Sequence, residues 1–181
     1  MHQNSSSIQQ KRAITGKTIN LRSVRLDDAS FILALRLNPE LSANLSQTDP
    51  DLGRQVAWID NCLKDLLQFY FIIEDKSNCA FGTVRIYDLQ ADSFCWGSWI
   101  LQPNAPRLVA IESALLVYEF GFYELGFIQS HFDVRKGNTR VLEFHKRLGA
   151  KIIGETDLDY LFRYPLESYE SVRPRYLKLL A

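Results

Sequence analysis

Between residues 69 and 101 the apolar pattern of this 181-residue chain leaves the helical period that precedes it, and afterwards it returns to that period. Phe69 to Glu74, Cys79 to Tyr87 and Phe94 to Leu101 are short runs rich in aromatic and β-branched residues. They are separated only by Lys76-Ser77-Asn78 and by the polar stretch Asp88 to Ser93. Runs of this length with such short connections form an antiparallel meander. A meander has two faces to cover, and the helical segments on either side of it must supply the cover. The chain is therefore restricted to an α+β domain whose central mixed, mostly antiparallel sheet is flanked by helices.

The flanking segments can be read in the same way. Thr18 to Val24 alternates and gives a first strand, and the apolar run Ala29 to Leu37 gives a helix. Asn38-Pro39 ends that helix, because the residue before a proline is pushed out of the helical region. Asp49-Pro50-Asp51 supplies a cap and a first-turn proline for a helix from Asp51 to Leu67. After the meander, Leu108, Ile111, Leu115, Tyr118 and Phe122 recur at three- and four-residue intervals and define a core stripe. The strand Ile128 to Arg135 that follows is reached through this helix, so it lies parallel to its partner. Asn138 and Gly149 bound another helix, and strands at Lys151 to Glu155 and Asp159 to Tyr164 lead to a short terminal helix from Glu167. Residues 1–17 are polar, lack the apolar segment of a secretory signal and read as a disordered leader, so 18–181 form a single domain.

Composition narrows the function classes. Lys plus Arg is 21 and Asp plus Glu is 21, so no net field gathers a polyanion, which argues against a nucleic-acid partner. Three cysteines, an odd number with no close pair, signal neither a disulfide framework nor a metal site and fit a cytoplasmic location. The most lipid-like stretch, Val109 to Ile128, carries Glu112, Glu119 and Glu124 and is no membrane span. One segment departs from neutrality. Arg135, Lys136, Arg140, Lys146, Arg147 and Lys151 are opposed only by Glu143, a local charge of +5 between residues 135 and 151.

Four segments carry a family resemblance. GSWILQP (Gly97 to Pro103) is a strand leading into a loop and a long helix, and IESALLVYEFGFYELGF (Ile111 to Phe127) is that helix. VRKGNTRVLEFHKRLGAKIIGE (Val134 to Glu155) is a strand-Asn-helix-Gly block and the most specific of the four; LRLNPELS (Leu35 to Ser42) is weaker. Together they resemble a GNAT acyltransferase domain, in the branch holding ribosomal-protein N-terminal acetyltransferases and bacterial amino-sugar acetyltransferases.

The resemblance implies acetyl-CoA as donor, an amine as acceptor and direct transfer without a covalent enzyme intermediate. An amine attacking a thioester leaves negative charge on the carbonyl oxygen, and the family answers it with a backbone N–H on its fourth strand, a donor that by position comes here from Ile100 or Leu101. The family's usual tyrosine acid, seven residues after the Asn and four before the Gly, is here His145. A neighbour could keep this imidazole protonated to quench the leaving thiolate; it could also be a neutral donor, or simply a core histidine on the stripe with Phe144 and Leu148. Asn138 and Arg140 fall where the family meets the CoA arm, and Asn138 also reads as an N-cap.

In the pyrophosphate loop the family pattern, Gln or Arg, two residues, Gly, one residue, Gly or Ala, falls on Ala105, Leu108 and Ala110, and only the last matches. Pro106 has no N–H to offer and Leu108 hinders close backbone approach, which leaves the helix N-terminus with Arg107, Leu108, Val109 and Ala110 as the anion-binding element. Asp88 and Glu112 are the candidates for a base, and His131 and Asp133 share one face of their strand. Arg36 and Asn38 are expected on the acceptor side, with Trp58, Trp96 and Trp99 lining a sugar-sized cleft and at least one of them packing the core. Two readings follow. One is an N-acetyltransferase for a small amine, with a nucleotide-linked amino sugar ahead of a protein N-terminus. The other is a GNAT-like binding or scaffold module with a degenerate CoA loop. Neither calls for a metal, and a homodimer is the one assembly kept open.

Overall fold

The structure is a computed structural model that describes residues 13–180. One eight-stranded sheet has the order β1-β2-β3-β4-β5-β6-β8-β7. Its strands are β1 (Ala13–Thr15), β2 (Ile19–Ser23), β3 (Phe69–Asp75), β4 (Ala80–Tyr87), β5 (Ser93–Leu101), β6 (Gln129–Arg135), β7 (Lys151–Glu155) and β8 (Asp159–Pro165). All neighbouring pairs are antiparallel except β5 and β6, the pair joined through the long helix. The helices are α1 (Ala29–Leu37), α2 (Pro39–Ser42), α3 (Leu52–Lys64), α4 (Arg107–Glu119), α5 (Thr139–Leu148) and α6 (Leu166–Val172). A π turn, Phe120–Glu124, prolongs α4, and a 3-10 segment, Arg173–Leu179, follows α6.

β1 corrects the expected leader. Ala13–Thr15 pairs with Asn20–Arg22, and Ile14 is buried on the sheet; residues 1–12 of that leader lie outside the described residues. A three-residue strand with one buried side chain is too short for alternation to reveal. The helix expected to reach Leu67 ends at Lys64, where the Asp65 N–H closes on the carbonyls of Asn61 and Cys62 and its carboxylate accepts from the Leu67 N–H.

Two apolar clusters sit on opposite faces of the sheet. The larger packs α4 and α5 onto Leu21, Phe71, Ile86, Phe94 and Trp96, and the smaller packs Ile32 of α1 and Ile59 of α3 onto Tyr70 and Ile72. α4 is buried on nearly every side from Glu112 to Tyr118, so its core face is wider than the predicted stripe. Leu108 does not belong to that stripe and is 53% exposed at the helix entrance. Asn138 caps α5, and Gly149 ends it at φ 94°, a left-handed conformation that glycine adopts without a Cβ penalty. No described helix is long and apolar enough to cross a membrane.

Candidate active site

The parallel pair β5 and β6 stays together only at its start. Ser93 pairs with Gln129 and Phe94 with Ser130, and beyond that point no pairing continues, so the strands part toward Leu101 and Arg135. β5 is also bulged. Register with β4 shifts by one residue between Thr83 and Arg85, Ser98 takes φ 49°, and the Thr83 hydroxyl donates to the Ser98 carbonyl at 2.8 Å. Gly82 permits the bulge, since a Cβ there would stand 2.0 Å from the Ile100 carbonyl oxygen. The Gln102 N–H donates to Phe81 O on β4. Strand alternation therefore turns the Ile100 N–H toward β4 as well and leaves the Leu101 N–H facing the gap beside β6. Of the two residues expected to offer a donor, Ile100 has its N–H on the β4 side and Leu101 has its N–H on the side of the gap.

α4 begins beside the same gap. Pro106 is its N-cap, and the Val109 N–H is turned back to Pro106 O at 3.0 Å. The expectation that Val109 and Ala110 offer donors is therefore revised. Val109 uses its N–H and buries its side chain, and Ala110 lies past the first turn, where its N–H reaches the Pro106 carbonyl by the helical i−4 register. Arg107 and Leu108 keep open N–H groups at the positive end of the helix, and the exposed Leu108 side chain takes no core space from a ligand there. Across the gap, Asn138 accepts the Val141 N–H at 3.4 Å, and Arg140 is exposed without a carboxylate partner among the described residues. The basic segment is partly answered: Arg135 pairs with Asp159, Lys136 with Glu155 and Lys146 with Glu143. Open N–H groups at a helix start, a free arginine and a strand gap fit a phosphorylated thioester donor such as acetyl-CoA.

His145 is 3% exposed behind the gap, enclosed by Phe132, Trp96, Phe144 and Phe162 with ring centroids 4.2 to 6.0 Å away. Its one polar contact among the described residues is Nδ1 to the Tyr118 hydroxyl at 3.5 Å. Burial among these rings pushes its pKa down from 6.5 to about 3, so the expected imidazolium acid does not fit. The side chain is a neutral core imidazole.

Neither expected base faces the gap. Glu112 is fully buried and accepts from the Thr18 N–H at 2.7 Å, the Ile19 N–H at 3.2 Å and the Thr18 hydroxyl. It ties the start of β2 to α4. Asp88 follows β4 beside the Ser93 end of β5, and the length of that strand, Ser93–Leu101, puts that end roughly 25 Å from Leu101 at about 3.3 Å per residue. There it accepts from His131 Nε2 at 2.9 Å, which holds its carboxyl below the usual range, while His131 Nδ1 meets the Ser93 hydroxyl at 2.6 Å. His131 thus clamps the closed end of the strand pair.

A cavity of about 320 Å³ opens on the other face of the sheet, among α1, α3, the loop between α2 and α3, and strands β3 to β5. Arg36 and Trp58 line it, together with Ser46 to Asp49, Arg54, Tyr70, Arg85 and Ser98, which the sequence did not single out as acceptor-side residues. Gln55, three residues before Trp58 on α3, also lines it. Two expected aromatics are absent from it. The bulge turns Trp96 and Trp99 to the same face, toward α4 and α5. Trp96 is in the core there, and Trp99 donates to the Ser113 hydroxyl at 3.1 Å and packs on Phe144. Asn38 is also elsewhere: its side chain caps α2 by accepting from the Glu40 and Leu41 N–H groups, and it borders a separate cavity beside Gln102 and Pro103.

Comparison with known proteins agrees with this geometry. A family model described as an acetyltransferase (GNAT) domain matches residues 18–151. No functionally curated protein matches the sequence significantly. Among solved structures, the chain is similar to apo FdhC, a nucleotide-linked sugar GNAT, with 40% identity and a TM-score of 0.84 over 93% of this chain and 98% of that one. A putative acetyltransferase from T. thermophilus shares the fold at 17% identity and TM-score 0.75, covering 91% and 94% of the two chains. A variant of SpeG from Vibrio cholerae shares it at 13% identity and TM-score 0.72, covering 86% and 98%.

Proposed function

The chain belongs to the GNAT acetyltransferase family, and from that premise we propose that it acetylates the amino group of a nucleotide-linked sugar. The observation that carries the acceptor reading is the 40% identity over nearly full length to a nucleotide-linked sugar GNAT. The polar cavity with its half-exposed Trp58 suits the same class of acceptor.

GNAT enzymes use acetyl-CoA as acyl donor, and when bound it supplies an acetyl group activated as a thioester. In this reading the Arg107 and Leu108 N–H groups at the head of α4 hold its diphosphate, with Arg140 and Asn138 on the far wall of the gap. The Leu101 N–H faces the carbonyl oxygen and stabilises the charge that develops on it. The acceptor enters from the cavity side, past Ser98. The one carboxylate on the cavity wall, Asp49, is paired with Arg54, so as the amine nitrogen bonds to the acetyl carbon and the C–S bond breaks, the amine gives its proton to solvent and the departing CoA thiolate takes one from solvent. His145 closes the apolar wall and keeps water from the gap.

A thermal-shift titration with acetyl-CoA tests the donor half independently of turnover. At a hundred times its Kd a ligand adds about 2.7 kcal/mol of stability. A saturable upward shift is expected, and no shift at millimolar acetyl-CoA would refute the donor site. CoA-thiol release across a panel of nucleotide-linked amino sugars and peptides then tests the acceptor class.

A further inference from the structure

Within the acceptor reading just given, the cavity carries a charge pattern that the rest of the fold lacks. Elsewhere carboxylates answer half-buried arginines: Arg22 meets Asp28 and Glu74, and Arg173 meets Glu119. In the cavity Arg36 gives Nε to the Thr48 hydroxyl at 2.6 Å and Nη2 to Ser46, and Arg85 gives Nη1 to Gln68 Oε1 at 3.2 Å. The Arg85 guanidinium also lies 4.3 Å from the Tyr87 ring centroid and 5.2 Å from that of Trp58. All these partners are neutral, and neither arginine pairs with a carboxylate among the described residues.

A guanidinium withdrawn from water without a counter-ion loses hydration and gains no ion pair in return. Two such groups on one cavity wall make sense if the anion arrives from outside. The wall holds Arg36, Arg54 and Arg85 against Asp49 alone, a sum of +2. Gln55 is a second, independent sign. It is 7% exposed, lines the cavity, and its carboxamide has no hydrogen-bond partner among the described residues. A nearly buried amide left open toward a cavity is a group held ready for a polar ligand.

We propose that Arg36 and Arg85, with Gln55 beside them, form an anion subsite that takes the diphosphate of the nucleotide-linked acceptor, so that the enzyme reads the phosphate linkage as well as the amine. Planar guanidinium forks bind phosphate oxygens two at a time, which suits this task better than lysine. A sugar carboxylate would satisfy the same forks, and the test separates the two.

Calorimetry on the whole protein, with UDP, dTDP, uridine and glucuronate as probes, tests the subsite without catalysis. UDP or dTDP is expected to bind with an affinity that falls as salt rises, whereas uridine binds at least about tenfold more weakly. Arg36→Gln and Arg85→Gln should each weaken diphosphate binding by about tenfold to a hundredfold, and Arg85→Lys, which keeps the charge without the fork, should fall between. With a nucleotide-linked amino sugar as acceptor, KM should rise by the same factor while kcat stays within about threefold. Diphosphate binding no tighter than that of uridine, or unaltered in folded variants, would overturn the proposal. Displacement of UDP by glucuronate at equal concentration would overturn it in favour of a sugar carboxylate. Should Arg85→Gln fail to fold by circular dichroism, Arg36→Gln decides, because its partners are confined to the loop at residues 46–48. If no amino sugar of any kind is acetylated, the acceptor reading fails, while the calorimetry still reports on the subsite.

Discussion

Replacing His145 by phenylalanine separates an acid from a core side chain, and the separation shows best in how stability depends on pH. In the fold the imidazole titrates at about 3, against 6.5 for an exposed histidine. The unfolded chain therefore binds a proton at His145 that the folded chain refuses. The contribution is intact above pH 6.5, is lost progressively as pH falls, and stops changing below about pH 3. At about 1.4 kcal/mol per pH unit, moving from pH 7.5 to pH 5 costs the wild type about 2 kcal/mol through this one residue. For a chain of this size that is about 4 to 8 °C in Tm. His145→Phe removes the term. At pH 7.5 the variant should lose about 1 to 3 kcal/mol, because the buried Tyr118 hydroxyl loses its partner, but its further loss on going to pH 5 should be smaller than that of wild type by about 2 kcal/mol. The other two histidines of the sequence are the same in both proteins, so they drop out of the difference. Urea unfolding at the two pH values measures the difference. Equal pH dependence of wild type and variant would refute the neutral, buried state and restore an imidazolium as acid.

Other substitutions probe the remaining assignments. Glu112→Ala leaves three donors at Thr18 and Ile19 without their acceptor and should cost about 3 kcal/mol in urea unfolding. Full stability with a hundredfold loss of kcat would instead make Glu112 a base. Asp88→Asn should leave kcat/KM within about twofold, since it acts at the closed end of β5; a larger loss in steady-state assays would contradict that placement. Gly82→Ala forces a methyl group against the Ile100 carbonyl and shifts the Leu101 N–H, so kcat/KM should fall by about a hundredfold in folded protein, and an unchanged value would remove that N–H from the reaction.

The sheet was largely legible because strands β2 to β8 keep their alternation or aromatic content in isolation, and because a helix-linked pair must be parallel. What the sequence concealed arises from contacts between distant segments. Trp96 and Trp99 look like residues on opposite faces until the extra residue at the bulge turns both toward α4, and no spacing rule announces that bulge. Glu112 looks like a free acid on a helix, but the turn that feeds β2, some 94 positions earlier, supplies its donors. The cavity takes its wall from a loop at residues 46–49 and from Arg85 on β4, which alternation alone places on one face of the sheet without saying which. Asn38, by contrast, was misassigned although its signal was local: Asn before Pro-Glu is a capping sequence, and the side chain spends its oxygen on the cap.

Acetyl transfer to a nucleotide-linked amino sugar is the central claim, and the fate of the acetyl group tests it most directly. Purified protein is incubated with acetyl-CoA and an equimolar mixture of a nucleotide-linked amino sugar, the corresponding free amino sugar and a peptide with a free N-terminus, and the products are resolved by mass spectrometry. The predicted result is one added acetyl group, on the sugar nitrogen of the nucleotide-linked compound, ahead of the free sugar and the peptide. Acetylation of the peptide alone, or of no amine while acetyl-CoA binds, would contradict it.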